Sequence, residues 1–143
     1  MNASITKTKI LVVDDEDCIR NLVQATLNRD GRHILLAVGG KDAITAFRRE
    51  RPAITILDLD MPDVDGLTVL KQIRQIRPDA TVFIFTGTDN PEAEREARKL
   101  GVTEFLYKGL ALPTAAEIEA RAKGSPKPSP APPADSSWWK LKL

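Results

Sequence analysis

The sequence predicts an α/β fold: a five-stranded parallel sheet with helices on both faces. Three observations point there. Short runs rich in Ile, Leu, Val and Phe recur along the chain and read as strands buried on both sides. Between them, apolar residues return at helical spacing. The apolar runs end in polar and charged residues, as strands do at the lip of an open sheet. The expected strands are residues 10–13, 33–37, 53–57, 82–85 and 104–107.

Each helix carries its own signals. Ile19, Leu22, Val23, Thr26 and Leu27 fall on one face of the first, with Asp17 as the expected cap and Asp30-Gly31 as the stop. Ala43, Ile44 and Phe47 mark the second, which ends before Arg51-Pro52. Leu67, Leu70 and Ile73 mark the third, which stops at Arg77-Pro78. The fourth uses small residues, Ala93 and Ala97 with Leu100, and runs from Asn90-Pro91 to Gly101. The fifth is thin. Thr114 and Glu117 form a capping box after Leu112-Pro113, but its inward face offers mainly Ala115, Ile118 and Ala122.

A chain of 143 residues fits one domain with a proper core. Its formal net charge of +1 gives no global field that would draw it to nucleic acid or a membrane surface. The single cysteine, Cys18, excludes an internal disulfide and reads as a bystander thiol in a reducing compartment. The first residues lack the apolar core of a signal peptide, and no later run is long enough to span a bilayer. A soluble, cytoplasmic protein is expected. Its divisions are a leader over 1–6, a folded domain over 7–123 and a tail over 124–143. The proline density of Ser125-Pro-Lys-Pro-Ser-Pro-Ala-Pro-Pro133 suits an extended spacer, and Trp138-Trp139 sit in a short basic end.

Chemistry concentrates at the strand ends. Asp58 ends one apolar run and Asp14-Asp15 end an earlier one, so two strand ends bring carboxylates to one pocket. Carboxylates crowded together repel unless something positive lies between them, and a hard divalent cation such as Mg2+ is the usual answer. Two further strands run into Thr86-Gly87 and Lys108. In a parallel sheet all strand C-termini share an edge, so Asp14, Asp15, Asp58, Thr86 and Lys108 are expected to converge. A carboxylate is a competent nucleophile toward phosphorus and gives an aspartyl phosphate. A transferring phosphoryl group spreads charge over three oxygens, so its catalysis is mostly positioning and electrostatics. A cation on Asp15 and Asp58, the Lys108 ammonium and the Thr86 hydroxyl would each meet one oxygen.

Those residues lie in four motifs: Val12-Val-Asp-Asp15, Asp58-Leu-Asp-Met-Pro-Asp-Val-Asp-Gly66, Phe85-Thr-Gly87 and Phe105-Leu-Tyr-Lys108. Together they resemble the receiver domain of two-component response regulators, the family that includes the bacterial chemotaxis regulator. The resemblance covers residues 7–123. It implies a flavodoxin-like (βα)5 order of strands. It implies that Asp58 is the phosphoacceptor, that Asp14 and Asp15 are the acidic pair, and that Thr86 and Lys108 contact the phosphoryl group. It places Phe105 at the aromatic switch position, with Thr86 moving as Phe105 repacks. Mg2+ or Mn2+ would be held by the Asp15 and Asp58 carboxylates, by Asp14 through water and by the Asp60 backbone carbonyl. The implied partners are a sensor histidine kinase or phosphotransfer protein and a downstream protein. The resemblance also implies a domain that assists its own phosphorylation and dephosphorylation and is otherwise not an enzyme.

Departures from the family pattern are specific. Proline usually follows the lysine, commonly after a cis bond, and here Gly109 does. A cis bond to a non-proline residue costs about 2.5–4 kcal/mol, so this loop is expected to take a different path. Gly87 replaces the usual alanine and is expected to widen access. Asp60 and Thr88 stand where the family's members tune the lifetime of the phosphoryl group, so the resemblance implies that role for them. The thin fifth helix argues for a monomer or weak dimer. No basic recognition helix is legible, so a stand-alone switch acting through a protein partner, not DNA, is expected.

Two other readings compete. A pseudo-receiver would use the same fold as a binding module that is never phosphorylated. Asp58-Leu-Asp60 also resembles the nucleophile motif of haloacid-dehalogenase-like phosphatases, but their further acidic pair follows the nucleophile, whereas Asp14-Asp15 precedes it.

Overall fold

The computed structural model describes residues 8–28, 32–87, 90–109 and 112–124. Strands β1 (Lys9–Val13), β2 (His33–Ala37), β3 (Ile54–Leu57), β4 (Thr81–Thr86) and β5 (Glu104–Tyr107) alternate with helices α1 (Asp17–Leu27), α2 (Gly40–Glu50), α3 (Gly66–Ile76), α4 (Pro91–Lys99) and α5 (Ala115–Gly124). The strands form one parallel sheet in the order β2-β1-β3-β4-β5. The order reverses between β1 and β3, which opens a crevice at their C-terminal ends, where such folds bind ligands.

Strand alternation divides the core by face. Leu11, Val13, Leu57, Val82, Ile84 and Phe105 pack with Phe47 of α2, Leu70 and Ile73 of α3 and Ala97 of α4. Ile10, Val12, Ile56, Phe83 and Leu106 pack on the other side with Val23 and Leu27 of α1 and Ile118 of α5. Burying both faces explains the unbroken apolar runs.

The thin fifth helix is fixed by charge as much as by area. Ala115 and Ile118 are buried and Ala122 packs beside them. Thr114 and Glu117 exchange the two hydrogen bonds of a capping box, at 3.0 and 3.2 Å. The Arg32 guanidinium donates twice to Glu119, each bond 2.7 Å, and Arg121 donates to Glu104 of β5 at 2.7 Å. On the opposite face, the partly buried Arg74 donates to the carbonyls of Ala80, Leu100 and Gly101. One guanidinium thereby joins α3, the turn into β4 and the end of α4.

Two local expectations differ from the structure. Asp17 is not the cap of α1 but its first residue; Glu16 holds the cap position and gives its own helix no side-chain bond. Its carboxylate is drawn instead to Lys108. The buried stripe of α1 is also narrower than the spacing implied. Val23 and Leu27 are buried but Leu22 is 53% exposed, and Thr26 donates its hydroxyl to the Leu22 carbonyl. The Asp30-Gly31 stop, Thr88, the leader and the tail with Trp138 and Trp139 lie outside the described residues.

Candidate functional site

The segment from Asp58 to Gly66 shows how one run of residues builds a pocket wall. The Asp58 N–H donates to the Val13 carbonyl at 3.0 Å, continuing the β1–β3 pairing one residue past the strand. Its side-chain Oδ1 accepts from the Asp60 N–H at 3.1 Å, which turns the chain outward. Asp63 accepts from the Gly40 and Lys41 N–H groups at the start of α2, and Asp65 caps α3 by accepting from the Thr68 N–H. Gly66 then passes against the strand end. A Cβ there would lie 2.3 Å from the Asp58 carbonyl oxygen and 2.4 Å from Leu59 Cα, so only glycine fits. The acidic residues of this run thus divide among a buried carboxylate, a turn and two helix starts.

Asp14 stands across from Asp58 at the end of β1. Its Oδ1 accepts from the Glu16 N–H at 2.9 Å, and its carbonyl accepts from Arg20 at 2.6 Å. Both the Asp14 and Asp58 side chains are 2% exposed. Lys108, at the end of β5, reaches over the strand ends between them. Its Nζ lies 2.9 Å from Asp14 Oδ2, 3.0 Å from Glu16 Oε1 and 3.2 Å from Asp58 Oδ2. The contact with Asp14 lacks hydrogen-bond alignment, so Asp14 Oδ2 is buried without a hydrogen bond among the described residues.

The electrostatics follow from this crowding. Burial pushes the Asp58 carboxyl up to about 6; the Asp60 N–H opposes that rise, the Asp14 charge adds to it and Lys108 opposes it. For Lys108, burial favours the neutral amine but is outweighed by its contacts with Asp14 and Glu16 and by the charges of Asp58 and Asp14, so its pKa is raised. The pocket is an ion cluster of three carboxylates around one ammonium.

The structure therefore brings together Asp14, Asp58 and Lys108 as the sequence implied, and adds Glu16. Asp15 is exposed and is not among the three carboxylates whose oxygens lie within 4.8 Å of one another, which are Asp14, Glu16 and Asp58. Thr86 is buried at the end of β4, and its carbonyl accepts from the Lys108 N–H at 2.9 Å. Hard oxygen donors, crowded and partly unsatisfied at Asp14 Oδ2, suit a hard divalent cation. Glu16 was missed because it lies within the run Asp14-Asp-Glu-Asp17, where its charge is not distinctive. Its spacing of two from Asp14, before the helix begins, was the available signal.

Gly109 takes φ +93°, a backbone that proline, fixed near about −65°, cannot adopt. At Gly109 the chain thus takes a direction that the family's usual proline could not. Gly87 does not widen access as expected. A Cβ there would lie 3.2 Å from Lys108 Cδ, so the lysine stem already covers that space.

Beside the pocket, α4 grips β5 through polar groups. Phe105 is buried with the Arg98 guanidinium 4.6 Å above its ring centroid. Tyr107, paired in register with Thr86, donates its hydroxyl to the buried Glu94 at 2.7 Å. Sequence periodicity gave no hint of this, because Glu94 is charged and Tyr107 neighbours the lysine.

An order-reversing parallel sheet with a buried aspartate at the β3 end and a lysine closing over it defines a signalling receiver. The response regulator receiver domain model matches residues 10–118, and the chain belongs to that family. It is 33% identical over 115 residues to the alkaline phosphatase synthesis transcriptional regulatory protein PhoP of Bacillus subtilis, covering 80% of this chain and 47% of that protein. It is 34% identical over 103 residues to the probable transcriptional regulatory protein TcrX of Mycobacterium tuberculosis, covering 72% and 44%. The chain thus spans about half the length of these curated relatives. Among solved structures, the chemotaxis protein CheY4 of Vibrio cholerae matches with a TM-score of 0.74 at 27% identity, covering 82% of this chain and 99% of that one. Response regulator TrrA of Thermotoga maritima, solved with Mg2+ and BeF, matches with a TM-score of 0.69 at 30% identity, covering 82% and 97%. No described helix is long and apolar enough to cross a membrane.

Proposed function

We propose that this receiver is a phosphorylation switch in which Asp58 accepts the phosphoryl group. The observation that carries the reading is a carboxylate buried at the β3 end with an ammonium 3.2 Å away and a second buried carboxylate beside it. A histidine kinase or phosphotransfer protein would present its phosphohistidine to the sheet edge. An Asp58 oxygen attacks phosphorus, the bond from phosphorus to the imidazole nitrogen breaks, and the imidazole leaves with that electron pair. Bound Mg2+ would neutralise charge on the transferring oxygens. Asp14 and Asp58 have carboxylates placed to hold it, with Glu16 beside them on Lys108, and the resemblance adds Asp15 and the Asp60 carbonyl. Lys108, once withdrawn from Asp14, meets another oxygen of the group on Asp58. The Thr86 hydroxyl meets a third. Its movement passes to β5 and α4, because Thr86 pairs with Tyr107 and Phe105 packs beneath Arg98. A partner protein reads that surface. We place the switch in the cytoplasm, where histidine kinases deliver their phosphoryl groups.

Intact-mass spectrometry with Mg2+ and acetyl phosphate tests the reading. One added phosphoryl group is expected, dependent on Mg2+ and absent from Asp58→Asn. A chain that takes none, and that shows no change with a stable phosphoryl mimic and Mg2+, is a binding module and not a phosphorylated switch.

A further inference from the structure

Lys108 is shared among three carboxylates that differ in kind. Asp14 and Asp58 are buried, whereas the Glu16 side chain is 53% exposed. An ammonium and a divalent cation repel strongly at such separations, so both cannot occupy the buried pair. Lys108 must move when a cation enters, and its surroundings allow that. Its stem lies on Gly87, which presents no side chain. The residue after it, Gly109, has no described atom within 4 Å of where a Cβ would stand. Glu16 sits just before α1, above the buried pair, and commits no side-chain oxygen to capping its helix.

We propose that Glu16 is a positioning residue: it keeps hold of the Lys108 ammonium at the rim of the pocket when a divalent cation takes Asp14 and Asp58 from it. This rests on the reading of the site as a cation-dependent phosphoacceptor and adds to it a residue that acts through Lys108. Without such a partner the displaced ammonium would relax into solvent. With it, Lys108 waits one side-chain swing from Asp58, ready to meet the incoming phosphoryl group. The exposed position of Glu16 suits the role, because its side chain follows the lysine without unpacking anything.

Calorimetric titration with Mg2+ alone, on the wild-type chain, Glu16→Gln, Lys108→Met and the double variant, tests this. Glu16→Gln is expected to weaken Mg2+ about two- to fivefold, the range of a partly exposed ion pair. Lys108→Met removes the competing ammonium and tightens binding. In the Lys108→Met background, Glu16→Gln is expected to change nothing, because Glu16 acts through the lysine. An equal loss in both backgrounds would show Glu16 acting on the cation directly and would overturn the proposal, as would no loss in either. Wild-type phosphorylation separates the two levels. If the wild-type chain binds Mg2+ and takes a phosphoryl group while the cycle is additive, only the role of Glu16 fails. If it does neither, the reading of the site fails with it.

Discussion

The two crossings that flank the pocket are built in opposite ways. Between β3 and α3, each turn is pinned: Asp58 to β1, Asp63 to α2, Asp65 to α3, and Gly66 pressed against the strand end. After β5, the last backbone bond before the described residues break off is from the Lys108 N–H to the Thr86 carbonyl, and Gly109 follows with no described atom within 4 Å of where a Cβ would stand. Under the proposed function, the nucleophile Asp58 sits on the pinned crossing, and Lys108, which has to move, sits beside the unobstructed Gly109. In the proposed switch a reacting carboxylate needs one position, whereas the lysine needs two, one before and one after the group arrives.

Four changes would break or sharpen that contrast. Gly66→Ala places a methyl group within 2.3 Å of the Asp58 carbonyl oxygen, so it should cost at least about 3 kcal/mol in denaturant unfolding. A loss under 1 kcal/mol would mean that the β3 crossing yields more easily than its contacts imply. Tyr107→Phe leaves the buried Glu94 without its hydroxyl partner and should cost about 2 kcal/mol. An unchanged midpoint would show that α4 holds β5 less firmly than this contact implies.

Asp58→Asn acts through charge. The folded pKa of Asp58 lies near 6, above its ordinary value of 3.8, so the folded chain holds this proton more tightly than the unfolded chain does. Stability attributable to Asp58 is therefore present below the ordinary value and lost as pH rises through about 6. In EDTA, Asp58→Asn should stabilise the fold by about 1–2 kcal/mol at pH 8 and by little below pH 4. A benefit independent of pH would show that ionisation is not its source. The smallest effect belongs to Gly109→Ala, which has room for its methyl group but pays for the left-handed backbone with about 1 kcal/mol. A cost as large as that of Gly66→Ala would end the contrast between the crossings.

Much of this was legible in the sequence, for identifiable reasons. Strands buried on both faces leave continuous apolar runs, and Asn90-Pro91, Thr114 and Glu117 are local signals that need no tertiary context. Asp14, Asp58 and Lys108 were legible because a parallel sheet puts strand ends on one edge. What escaped depended on partners far along the chain. Glu16 finds Lys108 92 residues away, and Arg32 finds Glu119 87 residues away. The exposure of Leu22 escaped for a related reason, since helical spacing gives a face but not how much of it the sheet covers.

In the proposed switch Asp58 itself carries the phosphoryl group. Borohydride reduction after Mg2+ and acetyl phosphate, followed by peptide mass mapping, tests it most directly, because reduction converts an aspartyl phosphate to homoserine in place. Conversion at position 58 alone is expected. Conversion at Asp14, Asp15 or Asp60 instead, or none in a chain whose mass has risen, would contradict it.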